Sequence, residues 1–433
     1  MMANAKHTLK LSVLMAGEVV GTLAQDERGQ VWFEYDAAWV QHGFALSPMP
    51  SFALRLGAFK ATRHTFDGLH GVFNDALPDG WGLLLMDRAL KQARNWAPHD
   101  ITPLDRLAYM GARAMGALEF KPLLMADPSA QAPELQSLAE QAMLAQEGNA
   151  SALLGAQLGA LYVHGGSPGG ARPKITVAML AENDDACREA APLLSGFETI
   201  PDHYEHWMVK LRSNTADPVC MGRVEMAYAQ MAAAAGVDMP PTRLIAATVR
   251  GVQEDFFAVK RFDRIKNKKL HVISLGGMLD ASHRAPCLDY TELLKAVHFA
   301  TKNIQDVERA FRLMVFNVLA HNKDDHVKNF AFVFNGKHWQ LAPAFDLTFS
   351  GGVGNQHTTA VAGQGNPTLN AIQQVAKGAG IKHADLVIDQ VFAAVAQWPR
   401  FAAAQGVTPA VADTYAQAIQ AGPCFAELDG QRR

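Results

Sequence analysis

The chain has 433 residues, enough for two or three domains with cores of their own, and its 49% hydrophobic and 19% charged residues exclude extensive disorder. A net charge of −3 gives no general attraction to nucleic acid. The four cysteines, Cys187, Cys220, Cys287 and Cys424, fall in no CxxC or Cys/His spacing, which sets aside structural zinc and a disulfide framework.

No secretory leader and no membrane-length apolar run is read, so the expected location is the reducing cytoplasm, with no membrane partner. Residues 8–60 alternate apolar and polar positions in short segments, as in Leu9 to Leu14 and Val31 to Tyr35, with turns such as Arg28-Gly29 between them. That pattern predicts a small β module. From Pro78-Asp79-Gly80-Trp81-Gly82 onward the pattern is helical, with Leu83, Leu84, Met86, Asp87 and Leu90 following a glycine-rich turn. Ala126 to Pro133 reads as a surface linker and 134–160 as helix. A strand-bearing segment then runs to about residue 264, and the remainder is mostly helical. No internal repeat is visible.

Within the strand-bearing segment, His164 to Lys174 is a glycine-dense loop ahead of a strand at Ile175 to Leu180. Four glycines in six residues let backbone N–H groups approach an anion without Cβ interference, which makes Ser167, Gly169 and Gly170 candidate phosphate-covering positions, although a structural loop is the commoner use of such a turn. Trp207 to Leu211 places Lys210 inside an otherwise apolar strand, where an ammonium is costly unless it meets an anion such as a phosphate or a partner carboxylate. Glu225 opens a helix-patterned run to Gly236 and is a candidate acidic partner of Lys210, although an exposed helix-start glutamate is the commoner use. Phe256 to Arg264 reads as a strand leaving this region and, only if the segment 304–349 is a kinase C-lobe core, as the hinge where backbone near Lys260 and Phe262 would bond an adenine edge. The basic run Lys260 to Lys269 is expected to be first of all a solvated hairpin.

The densest chemistry lies at 304–349. Val307, Phe311, Met314, Val315, Val318 and Leu319 recur at helical spacing, and where that stripe stops Asn322, Asp324, His326, Lys328 and Asn329 begin. Phe330 to Phe334, Asn335-Gly336 and Trp339 to Ala342 predict a hairpin that delivers Phe345-Asp346-Leu347. Asp324 and Asn329 stand five apart, the spacing by which a kinase catalytic loop supplies a carboxylate to the accepting hydroxyl and an amide oxygen to magnesium. Asp346 then follows as a second metal ligand. The bland use of each residue singly is to cap a polar turn; their order and spacing together favour phosphoryl transfer.

Taken together, Gly166 to Lys174, the Lys210 strand, Val259 to Arg264, Asn322 to Phe330, Ala344-Phe345-Asp346 and the earlier Phe73 to Arg88 resemble the HipA-type serine/threonine kinase toxins over nearly the whole chain. The resemblance implies an α+β, two-lobed protein-kinase-like fold, divided as an N-terminal β-plus-helix subdomain over 1–125, an N-lobe over 126–264 and a helical C-lobe over 265–433. It implies ATP and magnesium (Mg²⁺) as cofactors, Lys210 as the ATP lysine, Asp324 as catalytic base and Asn329 and Asp346 as metal ligands. His326 and Lys328 would approach the phosphates, and Ser167 would be an autophosphorylation site. It further implies a protein substrate carrying Ser or Thr, such as an aminoacyl-tRNA synthetase. The implied partner is a helix-turn-helix antitoxin of HipB type, through which alone DNA would be reached. Two other readings stay open: a small-molecule phosphotransferase sharing the Asp and Asn spacing, and a pseudokinase co-repressor subunit of a DNA-bound complex.

Overall fold

The computed structural model describes residues 7–62, 65–124, 134–147, 161, 164–165, 170, 172–181, 192–213, 217–284 and 288–432. Helices and sheets are mixed in an α+β chain that divides into two compact units, one formed by Met1–Asp217 with Ile245–Ile273, the other by Pro218–Leu244 with Ser274–Arg433. The expected linker Ala126 to Pro133 lies outside the described residues. The helix expected over 134–160 is seen as Leu135–Gln146, and 148–160 are likewise outside them.

The first unit opens with strands β1 (Lys10–Met15), β2 (Glu18–Gln25), β3 (Val31–Tyr35), β4 (Phe59–Lys60) and β5 (Glu119–Lys121), in the antiparallel order β4-β3-β2-β1-β5. Ala16 and Gly17 both have positive φ, 51° and 86°, the turn geometry whose twist matches a tight hairpin. The alternation puts Leu11, Val13, Leu23 and Phe33 on the buried face, where Phe33 stacks on Phe52 at 5.4 Å between ring centroids. The helix expected after Pro78 spans Gly80–Arg94.

A second sheet in this unit has the order β7-β6-β8-β10-β9, with β6 at Lys174–Leu180, β7 at Leu194–Ser195, β8 at Tyr204–Lys210, β9 at Thr242–Val249 and β10 at Val252–Lys260. All seven residues of β6 are buried, which fits a strand paired on both sides.

The basic run that follows β10 departs from expectation. Arg264–Ile265 and Lys268–Lys269 do pair as a hairpin, and Lys266 is exposed, but Arg261 and Arg264 are buried around Asp263. Asp263 accepts from Arg261 Nε at 2.9 Å and Nη2 at 2.7 Å, from Arg264 Nη1 at 2.7 Å and from the Gly116 N–H at 2.8 Å. Arg264 also donates to the carbonyls of Gly116 and Ala114. Sequence saw positive charge; the fold uses two of those charges as internal ties between the second sheet and the loop leading to β5.

The second unit is mainly helical. Ile304–Leu319, capped by the Asn303 side chain on the Gln305 N–H, buries the expected stripe against Tyr290–Thr301 and Ala384–Val395. Ala331–Phe334 and Trp339–Leu341 form the expected hairpin, with Asn335 Oδ1 accepting two turn N–H groups and Gly336 at φ 97°. Among the described residues no helix is long and apolar enough to cross a membrane.

Removing Asp263 would strand two buried guanidiniums, so Asp263→Ala is expected to cost about 3–5 kcal/mol in denaturant unfolding. Burial raises the Asp263 carboxyl, but Arg261 and Arg264 outweigh it and hold the group well below the carboxylate range. A folded value below the unfolded one means that this stability is complete above the unfolded value, about 4, and erodes as pH falls below it. The Asp263→Ala variant is expected to lose that part of the acid dependence.

Candidate active site

In the first unit, β6 and β8 pair with Lys174 directly opposite Lys210, and Phe257 of β10 stands opposite Lys210 on the other side. Directly opposed residues of an antiparallel pair share one face, so two ammonium groups project together. They are only 6% and 7% exposed. Lys210 Nζ lies 5.6 Å over the Phe257 ring, a cation–π contact. Like charges opposed across a ladder, and charges taken from water, are both unfavourable without an anion close by. Sequence reasoning singled out Lys210 and passed over Lys174, although the same signal, a lysine at the end of an apolar strand, marks both.

Of the other positions expected here, Gly170 is described and lies at φ 99°, with a virtual Cβ only 2.3 Å from Lys174 Nζ. Ser167 and Gly169 lie outside the described residues. Lys260 ends β10 and is paired with Glu205, and Phe262 is half-buried. The corresponding expectation for Glu225 fails in its commoner form: it sits inside the helix Met221–Ala234 and is 2% exposed, not an exposed helix-start residue.

In the second unit, the loop after Ile304–Leu319 alternates. His321 turns the chain at φ 55°, and then Lys323, Asp325 and Val327 are buried while Asp324 is exposed and His326 and Lys328 are partly exposed. Asn322 is buried as well, so the alternation runs only from Lys323 to His326, ahead of the turn Val327–Asn329; holding Lys323 and Asp325 inward leaves Asp324 between them on the outer side. Asp325 is the main anchor. Its carboxylate accepts from Tyr290 Oη at 2.9 Å, bonds His357 Nδ1 at 2.8 Å, and accepts from the Thr358 and Thr359 N–H groups at 2.9 and 3.2 Å. Burial, and then the Asp325 charge, push the Tyr290 hydroxyl well above its ordinary value, so it stays a donor.

Lys323 donates to Asn355 C=O, Asn355 Oδ1 and Asn366 Oδ1 at 2.8, 2.9 and 2.8 Å. Burial lowers its ammonium, and burial followed by the Lys323 charge pushes His321 down to about 4, which keeps that imidazole neutral against the Phe349 ring. Asn322 Nδ2 donates to Asn317 Oδ1 at 2.9 Å.

Asn329, in the turn Val327–Asn329, donates Nδ2 to the Asp324 carbonyl at 2.7 Å. That bond fixes the amide so that Oδ1 is its acceptor end. Asp346 lies after the hairpin at φ 57°, a left-handed conformation that aspartate adopts more readily than most non-glycine residues. The preceding Ala344 N–H is tied to the Asp238 carbonyl at 2.8 Å. An amide oxygen and a carboxylate suit a hard cation such as Mg²⁺, which takes few protein ligands and keeps water and phosphate oxygens. Among the described residues there is no group of three or more His, Cys, Asp or Glu that could hold a metal ion.

Asp325→Ala would leave a hydroxyl, an imidazole and two backbone N–H groups without their acceptor, and is expected to lower unfolding stability by at least about 3 kcal/mol. Calorimetry or urea denaturation of the purified variant measures it.

The HipA-like C-terminal domain matches residues 166–398, and the HipA N-terminal domain matches residues 11–121. A protein of Sinorhizobium fredii (strain NBRC 101917 / NGR234) named "Putative kinase Y4mE" is 26% identical over 368 residues, 78% of this chain and 76% of that protein. A "Putative kinase" of Haemophilus influenzae is 27% identical over 124 residues, 26% of this chain and 36% of that protein. Among solved structures, HipA in the Shewanella oneidensis MR-1 complex of HipA, HipB and operator DNA superposes with a TM-score of 0.65 at 16% identity, over 96% of this chain and 98% of that one. At that identity the likeness is one of fold.

Proposed function

The chain belongs to the HipA family, and on that premise we propose that it is an ATP-dependent serine/threonine protein kinase of the HipA toxin type with a two-lobed protein-kinase-like fold. The observation that carries the reading is the alternation of buried and exposed residues from Lys323 to His326. Buried Lys323 and Asp325 hold Asp324 outward while Asn329 bonds back to its carbonyl, the positioning that phosphoryl transfer asks of a protein.

In this reading Asp324 orients the acceptor hydroxyl and takes its proton. Lys210 and Lys174 offset phosphate charge, and His326 and Lys328 approach phosphates. Asn329 Oδ1 and the Asp346 carboxylate would hold Mg²⁺, which when bound neutralises charge on the transferred phosphoryl group. Backbone near Lys260 and Phe262 bonds the adenine edge. Gly169 and Gly170 cover the phosphates, and Ser167 is phosphorylated by the enzyme itself.

The substrate class is a protein Ser or Thr, with translation components such as aminoacyl-tRNA synthetases the first candidates. A HipB-type antitoxin is the proposed partner, since the solved neighbour is a complex of HipA, HipB and operator DNA. With a net charge of −3, this chain reaches DNA through such a partner and works in the cytoplasm.

Asp324→Asn and Asp346→Asn are each expected to keep the fold, checked by circular dichroism, and to lower phosphotransfer by roughly 100-fold or more. Either variant retaining full activity in a Mg²⁺-ATP assay contradicts the assignment. In the same assay, mass spectrometry of wild type is expected to find phosphate on Ser167, and to find none in Asp324→Asn.

A further inference from the structure

The helix Gly80–Arg94 starts in an unusual way. Its N-cap is Asp79, yet the Asp79 side chain makes no capping hydrogen bond to that helix. A helix start leaves N–H groups without intrahelical acceptors, and an N-cap carboxylate ordinarily takes one of them. Here the carboxylate and a first-turn N–H both bond a glycine far along the chain. The Gly170 N–H donates to Asp79 Oδ1, and the Trp81 N–H donates to the Gly170 carbonyl at 3.1 Å. Gly170 is therefore bonded to the helix start through both its N–H and its C=O.

The surroundings leave Gly170 little latitude. Its φ of 99° is closed to other L-residues, and a Cβ would stand 2.3 Å from Lys174 Nζ, so the lysine ammonium lies against the glycine itself. On the far side a Cβ at Gly165 would be 3.4 Å from Trp81 Nε1 and 2.9 Å from the Lys174 carbonyl. Trp81 is 3% exposed. Asp79 and Trp81 belong to the segment matching the HipA N-terminal domain, and Gly170 and Lys174 to the segment matching the C-terminal domain.

We infer that Asp79 and Trp81 are positioning residues for nucleoside triphosphate binding: by clamping Gly170 they set where the Lys174 ammonium stands beside Lys210. The N-terminal domain is thereby part of the nucleotide-binding apparatus. The clamp stands on geometry alone, whereas its role rests on the kinase reading above.

The test uses the full chain as wild type, Asp79→Ala and Asp79→Asn, and reads amide hydrogen exchange over 164–175 together with kcat and KM for Mg²⁺-ATP. Losing one charge-assisted hydrogen bond predicts, in Asp79→Ala, exchange faster by about tenfold and KM for ATP raised by about tenfold, with kcat within about twofold. Asparagine keeps an oxygen acceptor for the Gly170 N–H, so Asp79→Asn is expected to restore wild-type behaviour in both. If Asp79→Ala does not fold, Gly170→Ala reaches the same contact from the other side and is expected to raise KM likewise.

Unchanged exchange in Asp79→Ala overturns the clamp. Faster exchange with unchanged KM overturns the positioning role and leaves the kinase reading standing. A fall in kcat without a rise in KM, shared by Asp79→Asn, points to fold maintenance only and also overturns it. Protected Gly170 in a wild-type chain that binds no ATP refutes the kinase reading and this role with it.

Discussion

A carboxylate taken out of water must find donors for its oxygens or cost the fold several kcal/mol, and the second unit places such a carboxylate at Asp325, beside the residue proposed to do chemistry. Tyr290, His357 and two backbone N–H groups meet it, and in doing so they tie the loop after Ile304–Leu319 to the segment 357–359. Everything outward in that loop follows from this inward anchor. Asp324 faces solvent because its neighbours on both sides cannot. Lys323 repeats the device with opposite charge on Asn355 and Asn366, and His321 stacks on Phe349, which stacks in turn on Tyr415. The loop is thus tied to Tyr290 and to the segments carrying Phe349, Asn355, Thr358 and Asn366.

Internal charge has the same organising part in the first unit. Asp263 gathers Arg261, Arg264 and the Gly116 N–H into one buried network. Lys174 and Lys210 oppose each other across the ladder of β6 and β8, an arrangement that an apolar sheet alone would not retain. Buried charge adds little net stability, so its recurrence beside the proposed nucleotide residues is better understood through placement of the segments that carry them.

Local features were legible in the sequence. The apolar stripe of 304–320 became the helix Ile304–Leu319, Asn335-Gly336 became a hairpin turn, and Lys210 proved buried in a strand. What sequence could not reveal were partners far along the chain. Asp324 and Asp325 are the same residue side by side, and only Tyr290 and His357, 35 and 32 positions away, decide which one goes inside. For the same reason the sequence does not decide between Glu225 as a partner of Lys210 and Glu225 as an exposed helix start, nor separate the buried Arg261 and Arg264 from the solvated positions of the 260–269 run. Lys174 was overlooked because its significance lies in its register opposite Lys210, which becomes visible only when β6 and β8 pair.

The central claim is that the 322–329 loop, with Asp346, forms a metal-dependent phosphotransfer site. Its most direct test is calorimetric titration of ATP into wild type and Asn329→Ala, each with Mg²⁺ and with EDTA. The account predicts that Mg²⁺ tightens ATP binding to wild type by about tenfold or more and that the gain disappears in Asn329→Ala. Equal affinity with and without Mg²⁺ in wild type, or a gain that persists in Asn329→Ala, would contradict it.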